Sequence, residues 1–357
     1  MKLMKFLYWQ HQGNLKKTFI IAGITFLISC KPEVVLENVI SFDTTMPVFL
    51  AVKALSSTQI AFDFSVPVTA SSVHFDPPVE IDHIEGGQRL IVTVKSPLPE
   101  GYPFVAELLV ADEKKNTLSV LTPFRARNDR LPSLRINEVR TEYSKPKVEY
   151  IELYIGSAGN LGALSVITAL NGVGKPIYEF PPVEVTQGEY IVLHLRTIEE
   201  GCRDELDDDL SRSAGTETSP QVRDLWIQGN EERLRKTDGI ALVNQDNDIL
   251  DAVFFSEYTS GDWLKQELIQ FSTFLAGPKA WIKKDGQPGT LLPQDSCGSS
   301  TTTTTRTICR DELMVDSNSA RDWYVTVTGG ATPGFPNRSD RYSETAKTVI
   351  INKKNKK

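Results

Sequence analysis

Apolar and polar residues alternate along much of this chain with the period of two that a strand needs when one of its faces lies in a core. In Gln59-Ile60-Ala61-Phe62-Asp63-Phe64 the apolar set is Ile60, Phe62 and Phe64. The device returns at Leu90, Val92 and Val94, and again at Phe104, Ala106, Leu108 and Val110. Turn clusters Glu85-Gly86-Gly87-Gln88 and Pro97-Leu98-Pro99-Glu100-Gly101 separate these runs, and short strands at this spacing predict a β-sandwich over residues 47–127. The charged stretch 125–132 ends in proline, which makes 128–133 a linker. Alternation then resumes in Leu134-Arg135-Ile136-Asn137-Glu138-Val139 and in Tyr150-Ile151-Glu152-Leu153-Tyr154-Ile155, where Ile151, Leu153 and Ile155 form the apolar face. Further strands are expected at 188–193, 237–244 and 249–254. One stretch departs from period two: Leu264, Leu268, Phe271 and Leu275 recur at steps of four, three and four, which predicts an amphipathic helix over 262–276 that Gly277-Pro278 stops. The fold class is therefore all-β, two sandwiches in tandem, the second interrupted near 197–225 and 256–322.

The first residues follow another pattern. Lys16 and Lys17 precede an apolar run at 18–27, which closes as Leu27-Ile28-Ser29-Cys30. The run is about half the ~20 apolar residues that a spanning helix needs, so a secretory signal over 1–29 is expected. The Leu-x-Ser-Cys ending resembles a bacterial lipobox. That resemblance implies cleavage between Ser29 and Cys30 and acylation of Cys30 with diacylglycerol and palmitate-like chains. More than one chain gives stable anchoring at ~0.8 kcal/mol per buried CH₂. An ordinary signal with a coincidental cysteine is the alternative. Residues 30–46 then form a lipidated tether.

In the second sandwich, Asn160-Leu161-Gly162, Gly188-Glu189-Tyr190 and the late Ala331-Thr332-Pro333-Gly334-Phe335-Pro336-Asn337 stand in an order that resembles the lamin tail domain. The resemblance covers 134–338 and implies an immunoglobulin-like sandwich; it departs from that family at Ala163, where tryptophan is usual, and at Ile155, where asparagine is common. Residues 47–127 resemble the SbsA-type immunoglobulin-like domain on Phe62-Asp63-Phe64-Ser65-Val66-Pro67-Val68, Leu98-Pro99-Glu100-Gly101-Tyr102 and the turn Asp112-Glu113-Lys114-Lys115-Asn116. Such domains serve as spacers or binding modules in envelope proteins.

Composition narrows the chemistry. Removing 1–29 leaves 328 residues; the 39 basic side chains fall to 35 against 46 acidic ones, and the formal charge moves from −7 to −11. A body this acidic repels phosphate, and the one basic cluster, the tail within 339–357, carries no stacking aromatic after Tyr342, so no nucleic acid is expected. Only His74, His83 and His194 remain in the mature chain. His194 reads as a half-exposed strand residue, and no His-Glu-x-x-His, Gly-x-Ser-x-Gly, phosphate loop or Ser-x-x-Lys is present, so no enzyme activity and no cofactor are expected. Cys202, Cys297 and Cys309 remain once Cys30 carries lipid. A Cys297–Cys309 disulfide across the threonine-rich loop 299–307 is the preferred pairing, at ~2–3 kcal/mol, and free thiols are the alternative that an odd count leaves open. Neither these cysteines nor the runs Asp207-Asp208-Asp209 and Asn244-Gln245-Asp246-Asn247-Asp248 match a metal site; turns use Asn and Asp anyway.

The expectation that results is a lipid-anchored envelope protein, in the outer membrane rather than the inner, periplasmic or surface-exposed. Its work is to bind a protein or glycan partner through the loops 197–225 and 297–309, or alternatively to act as a structural spacer or assembly protein.

Overall fold

The second strand sets the shape of the N-terminal part. The computed structural model describes residues 45–287 and 289–343, and within it β2 (Gln59–Asp76) runs for 18 residues. Its first part pairs with β4 (Gly87–Val94) through Gln59–Asp63, and its second part pairs with β5 (Pro103–Asp112) through Val68–Asp76. Between them the register breaks at the exposed Ser65-Val66-Pro67, where proline has no N–H to donate. The strand bends there and carries the sheet around a single core. β1 (Phe49–Ala54) pairs with the first part of β2, and the full order is β3 (Ile81–Glu85), β4, β2, β5, β6 (Thr117–Arg125). Every apolar position of the three alternating runs is buried in the core this sheet encloses.

From residue 134 onward two further sheets face each other. One has the order β14 (Arg223–Trp226), β13 (Tyr190–His194), β8 (Tyr150–Ile155), β7 (Leu134–Arg140), β18 (Ile308–Arg310), β19 (Trp323–Val325). The other has the order β11 (Pro176–Glu179), β10 (Ser165–Thr168), β15 (Asp238–Val243), β16 (Ile249–Ser256), β17 (Cys297–Gly298). A two-stranded ribbon of β9 (Gly159–Asn160) and β12 (Glu184–Val185) closes one end. The chain is all-β with one helix, α1 (Gln266–Ala276), among the described residues. That helix starts four residues later than its apolar stripe predicts: Leu268, Phe271 and Leu275 enter the core between the sheets, whereas Leu264 is 88% exposed. Gly239 makes the packing possible, because a Cβ there would stand 2.3 Å from the Phe271 ring. The stretch 256–322 is more than an insertion, since it supplies β17 to one sheet and β18 to the other.

The linker is not a free joint. Met46 onward forms one compact unit, and residues 125–130 are the reason. Arg125 pairs with Glu179 at 2.9 Å, Arg127 with Asp246 at 3.1 Å, and Lys53 reaches the same Asp246 at 2.7 Å. Arg130 lies between Glu100 and Glu184, which together push its pKa up. The buried Asn128 donates to the carbonyls of Asn160 at 2.8 Å and Gly162 at 2.7 Å. Gly101, at φ +62°, packs so tightly on Gly162 that a Cβ would fall 2.3 Å from its carbonyl carbon. No side chain other than hydrogen fits between the two backbones.

Candidate ligand cleft beside the helix

The loop 235–237 before β15 and the loop 257–265 between β16 and α1 leave a cleft of about 370 Å³ between them. Trp263 and Leu268 form its floor, and both are buried. Trp263 is held by its contact with the Phe254 ring, 4.7 Å between centroids, and by donation from its indole N–H to the Leu291 carbonyl at 2.8 Å. The rim carries Tyr258 and Leu264, both exposed, with Arg235, Lys236 and Lys265 against Glu257 and Asp262, and the hydroxyls of Thr237 and Ser260.

The walls are fixed from behind. Asp238 accepts the N–H groups of Arg235 at 3.1 Å, Leu170 at 3.1 Å and Gly239 at 2.8 Å. Burial pushes its carboxyl up to about 7 against those three donors. Thr237 Oγ1 accepts the Glu257 N–H at 3.1 Å, tying one wall to the other, and the Lys236 carbonyl accepts from Ser299. Arg235 is oriented by Glu232 at 3.0 Å and Lys236 by Glu142 at 3.4 Å. A preformed hollow of this size with an aromatic floor and a few polar groups suits a small ligand or one end of a larger one. Neither histidine nor cysteine lines it, and the arrangement offers hydrogen bonds, charge and ring contact rather than a nucleophile with its base.

A second concentration of polar groups lies on the outer face of the sheet that holds β7 and β8. Glu138 and Glu152 stand directly opposite each other across these strands, both fully buried. They are covered by the segment 330–337. Glu138 accepts from the Thr332 N–H at 3.1 Å and from the Thr307 hydroxyl; Glu152 accepts from the Gly334 N–H and from Asn137 Nδ2 at 2.8 Å. Burial raises both carboxyls first, and the negative charge of Glu138 raises Glu152 further. Tyr150 beside them is likewise pushed up by burial and then by Glu138, and Arg140 stacks over its ring at 4.5 Å. Tyr150 and Glu152 belong to the polar face of a strand whose other face is in the core, so both faces of β8 are buried.

The residues singled out in the sequence do not gather at either place. Ser29 and Cys30 lie outside the described residues, as does most of the basic tail. The Cys297–Cys309 disulfide is not formed: Cys202, Cys297 and Cys309 are free and buried. Cys297 points into the core between the sheets, whereas Cys309 stands on the opposite face of β18 from the core residue Ile308, near Thr307 and Glu138. Burial raises both thiols.

His194 is 1% exposed rather than half-exposed; it stacks on Trp226 at 3.8 Å and bonds Asp224 at 2.7 Å. The loop 197–225 is pinned to the fold. Glu205 accepts the N–H groups of Ser213 and Asp224, Cys202 donates to the Ala214 carbonyl at 2.8 Å, and Trp226 Nε1 reaches Ser213. The threonine-rich stretch is equally ordered, with Thr302 and Thr307 buried and Thr302 bonded to Thr141. Asn244 Oδ1 accepts the N–H groups of Asp246 and Asp248, the bonding of a turn. Among the described residues no group of three His, Cys, Asp or Glu side chains is placed to hold a metal ion, and no helix is long and apolar enough to cross a membrane. The cleft itself had no sequence signal beyond Tyr258 and Trp263 in a polar loop.

Comparison with known proteins bears on the region that contains the cleft. The TP_1001_2nd family, described as "protein second domain", matches residues 132–325, more than half of the chain. The chain belongs to this family. The TP_1001_2nd region takes in β7 to β19, the cleft and both carboxylates. A protein of Treponema pallidum (strain Nichols) that carries the name "Uncharacterized protein" is 34% identical over 135 residues, 37% of this chain and 34% of that protein. The match thus spans about a third of the relative's length. Among solved structures, the N-terminal part of the bacterial S-layer protein SbsC overlaps 62% of this chain and 45% of that one, at 12% identity and a TM-score of 0.23. That superposition is too loose to relate the two folds.

Proposed function

We propose that this chain is a lipid-anchored protein of the bacterial cell envelope, held at the outer membrane through Cys30, and that its TP_1001_2nd region is a non-catalytic binding or adhesion module of lamin-tail type. In this reading residues 47–127 are an SbsA-type spacer. The cleft carries the reading: its walls are braced, its floor is aromatic, and its rim mixes hydroxyl, carboxylate and cationic groups. Such a rim suits a polyhydroxylated ligand, so between the two partner classes a glycan is favoured over a protein. The test is binding of solubilised envelope polysaccharide and of envelope protein to the immobilised chain. Tyr258→Ala and Lys265→Glu are each expected to weaken glycan capture about tenfold, the effect of ~1.4 kcal/mol. Unchanged capture by both variants removes the cleft from the function.

A second reading, a structural spacer or assembly protein, is favoured by the braced seam, which suits a rigid strut. Crosslinking in the native membrane separates the two: abundant self-contacts support the spacer, and one distinct partner supports the binding module.

A further inference from the structure

The first described strand begins in an unusually apolar stretch of surface. Met46 and Val48 are 52% and 55% exposed, and Leu121 on β6 is 74% exposed. These residues are neighbours, since a shallow hollow is lined by Met46, Pro47, Val48 and Phe49 from one side and Leu118 and Leu121 from the other. Phe49 turns inward onto Phe64, 5.8 Å away, so Val48 and Leu50, on either side of it, face out. β6 is the last strand of its sheet, and Leu121 stands opposite Glu107 on the face away from the core, with the half-exposed Leu109 diagonal to it. Single exposed apolar residues are ordinary, whereas a contiguous group marks a contact surface.

Chain length says what covers it. Residues 31–45 separate Cys30 from Met46, and a fully extended chain spans at most ~3.6 Å per residue, about 55 Å in all. A bilayer that holds Cys30 is therefore always within reach of the body, and the tether enters the body at Met46, the edge of this patch. We infer that the surface formed by Met46, Val48 and Leu121 seats on the lipid bilayer and lays the body against the membrane. The inference rests on the anchored reading given above. The partner is a lipid surface, bound through its acyl-headgroup boundary, where exposed aliphatic side chains lose contact with water.

The test uses the full acylated chain in vesicles of phosphatidylethanolamine and phosphatidylglycerol, spin-labelled in turn at Val48→Cys, Leu121→Cys and Leu313→Cys. Cys202, Cys297 and Cys309 are buried and take no label. Leu313, 92% exposed on the C-terminal half, is the water-facing control. The expected result is that labels at 48 and 121 collide more with oxygen than with an aqueous nickel chelate, and that the ratio reverses at 313. Labels at 48 and 121 that stay in water overturn the proposal. Spin–spin broadening between copies without added oxygen access also overturns it, because a second copy then covers the patch. The mass of the N-terminal peptide is read on the same sample: an unacylated Cys30 sinks the anchored reading and this surface with it, whereas an acylated Cys30 with wet labels sinks the surface alone.

Discussion

Glu138 and Glu152 bind the backbone of 330–337 with carboxyls whose pKa burial raises, that of Glu152 further through the charge of Glu138. A carboxyl raised in the folded state binds its proton more tightly there than in the unfolded chain, so its contribution is complete below the unfolded value of about 4.3 and is lost as pH rises through the folded value. Asp63 and Glu184, whose carboxyls are lowered chiefly by hydrogen bonds from Arg89 and from Asn160 and Arg130, act in the opposite sense and lose their contribution in acid. The pair is isolated by difference. Glu152→Gln is expected to flatten the fall of Tm between pH 5 and pH 8 relative to the parent, followed by thermal unfolding. Glu152→Ala is expected to cost about 1–3 kcal/mol at every pH, because the Gly334 and Asn137 donors lose their acceptor. Thiol titration offers a second check at this scale: Cys202, Cys297 and Cys309 are expected to resist an aromatic disulfide reagent in the native state and to react together on unfolding. Little of this was legible beforehand. Alternation through 150–155 separates two faces correctly, but it assigns Tyr150 and Glu152 to water, since the segment that covers them arrives some 180 residues later in the chain. The cysteine pairing failed for a related reason, that sequence spacing carries no information about which face of β18 a side chain takes.

Strands were the most readable elements, because each run is short and its apolar face meets one core. The helix was readable in its interior and misplaced at its start. Residues 262–265 continue the apolar stripe on paper, yet the chain there is extended at Lys265 and turns Trp263 inward while Leu264 points to solvent. Phe271→Ala is expected to cost about 3–5 kcal/mol in denaturant unfolding, from lost burial and the cavity left against Gly239. Leu264→Ser is expected to stay within about 0.5 kcal/mol of the parent. Equal costs for the two would mean that the stripe, and not the observed start of α1, describes the packing. Insertions were the least readable elements. Composition marked 197–225 and 299–307 only as loops, but buried acceptors such as Glu205 and Glu138 give their polar groups partners inside the fold.

For the whole molecule the decisive residues are those at the seam. Arg130 finds its carboxylates 30 residues before it and 54 residues after it, so a charged segment that resembles a solvated linker becomes a clamp once the sheets on either side of it are in place. The parent is expected to unfold in one calorimetric transition, and Gly101→Ala, which should part the two backbones, in two. One transition for the variant would show that the ion pairs alone couple the cores. The contact between Gly101 and Gly162 also has a mechanical consequence. At that one point no side chain lies between the backbones to be compressed, so a load across the seam passes directly from one main chain to the other, with little of it dissipated in bending.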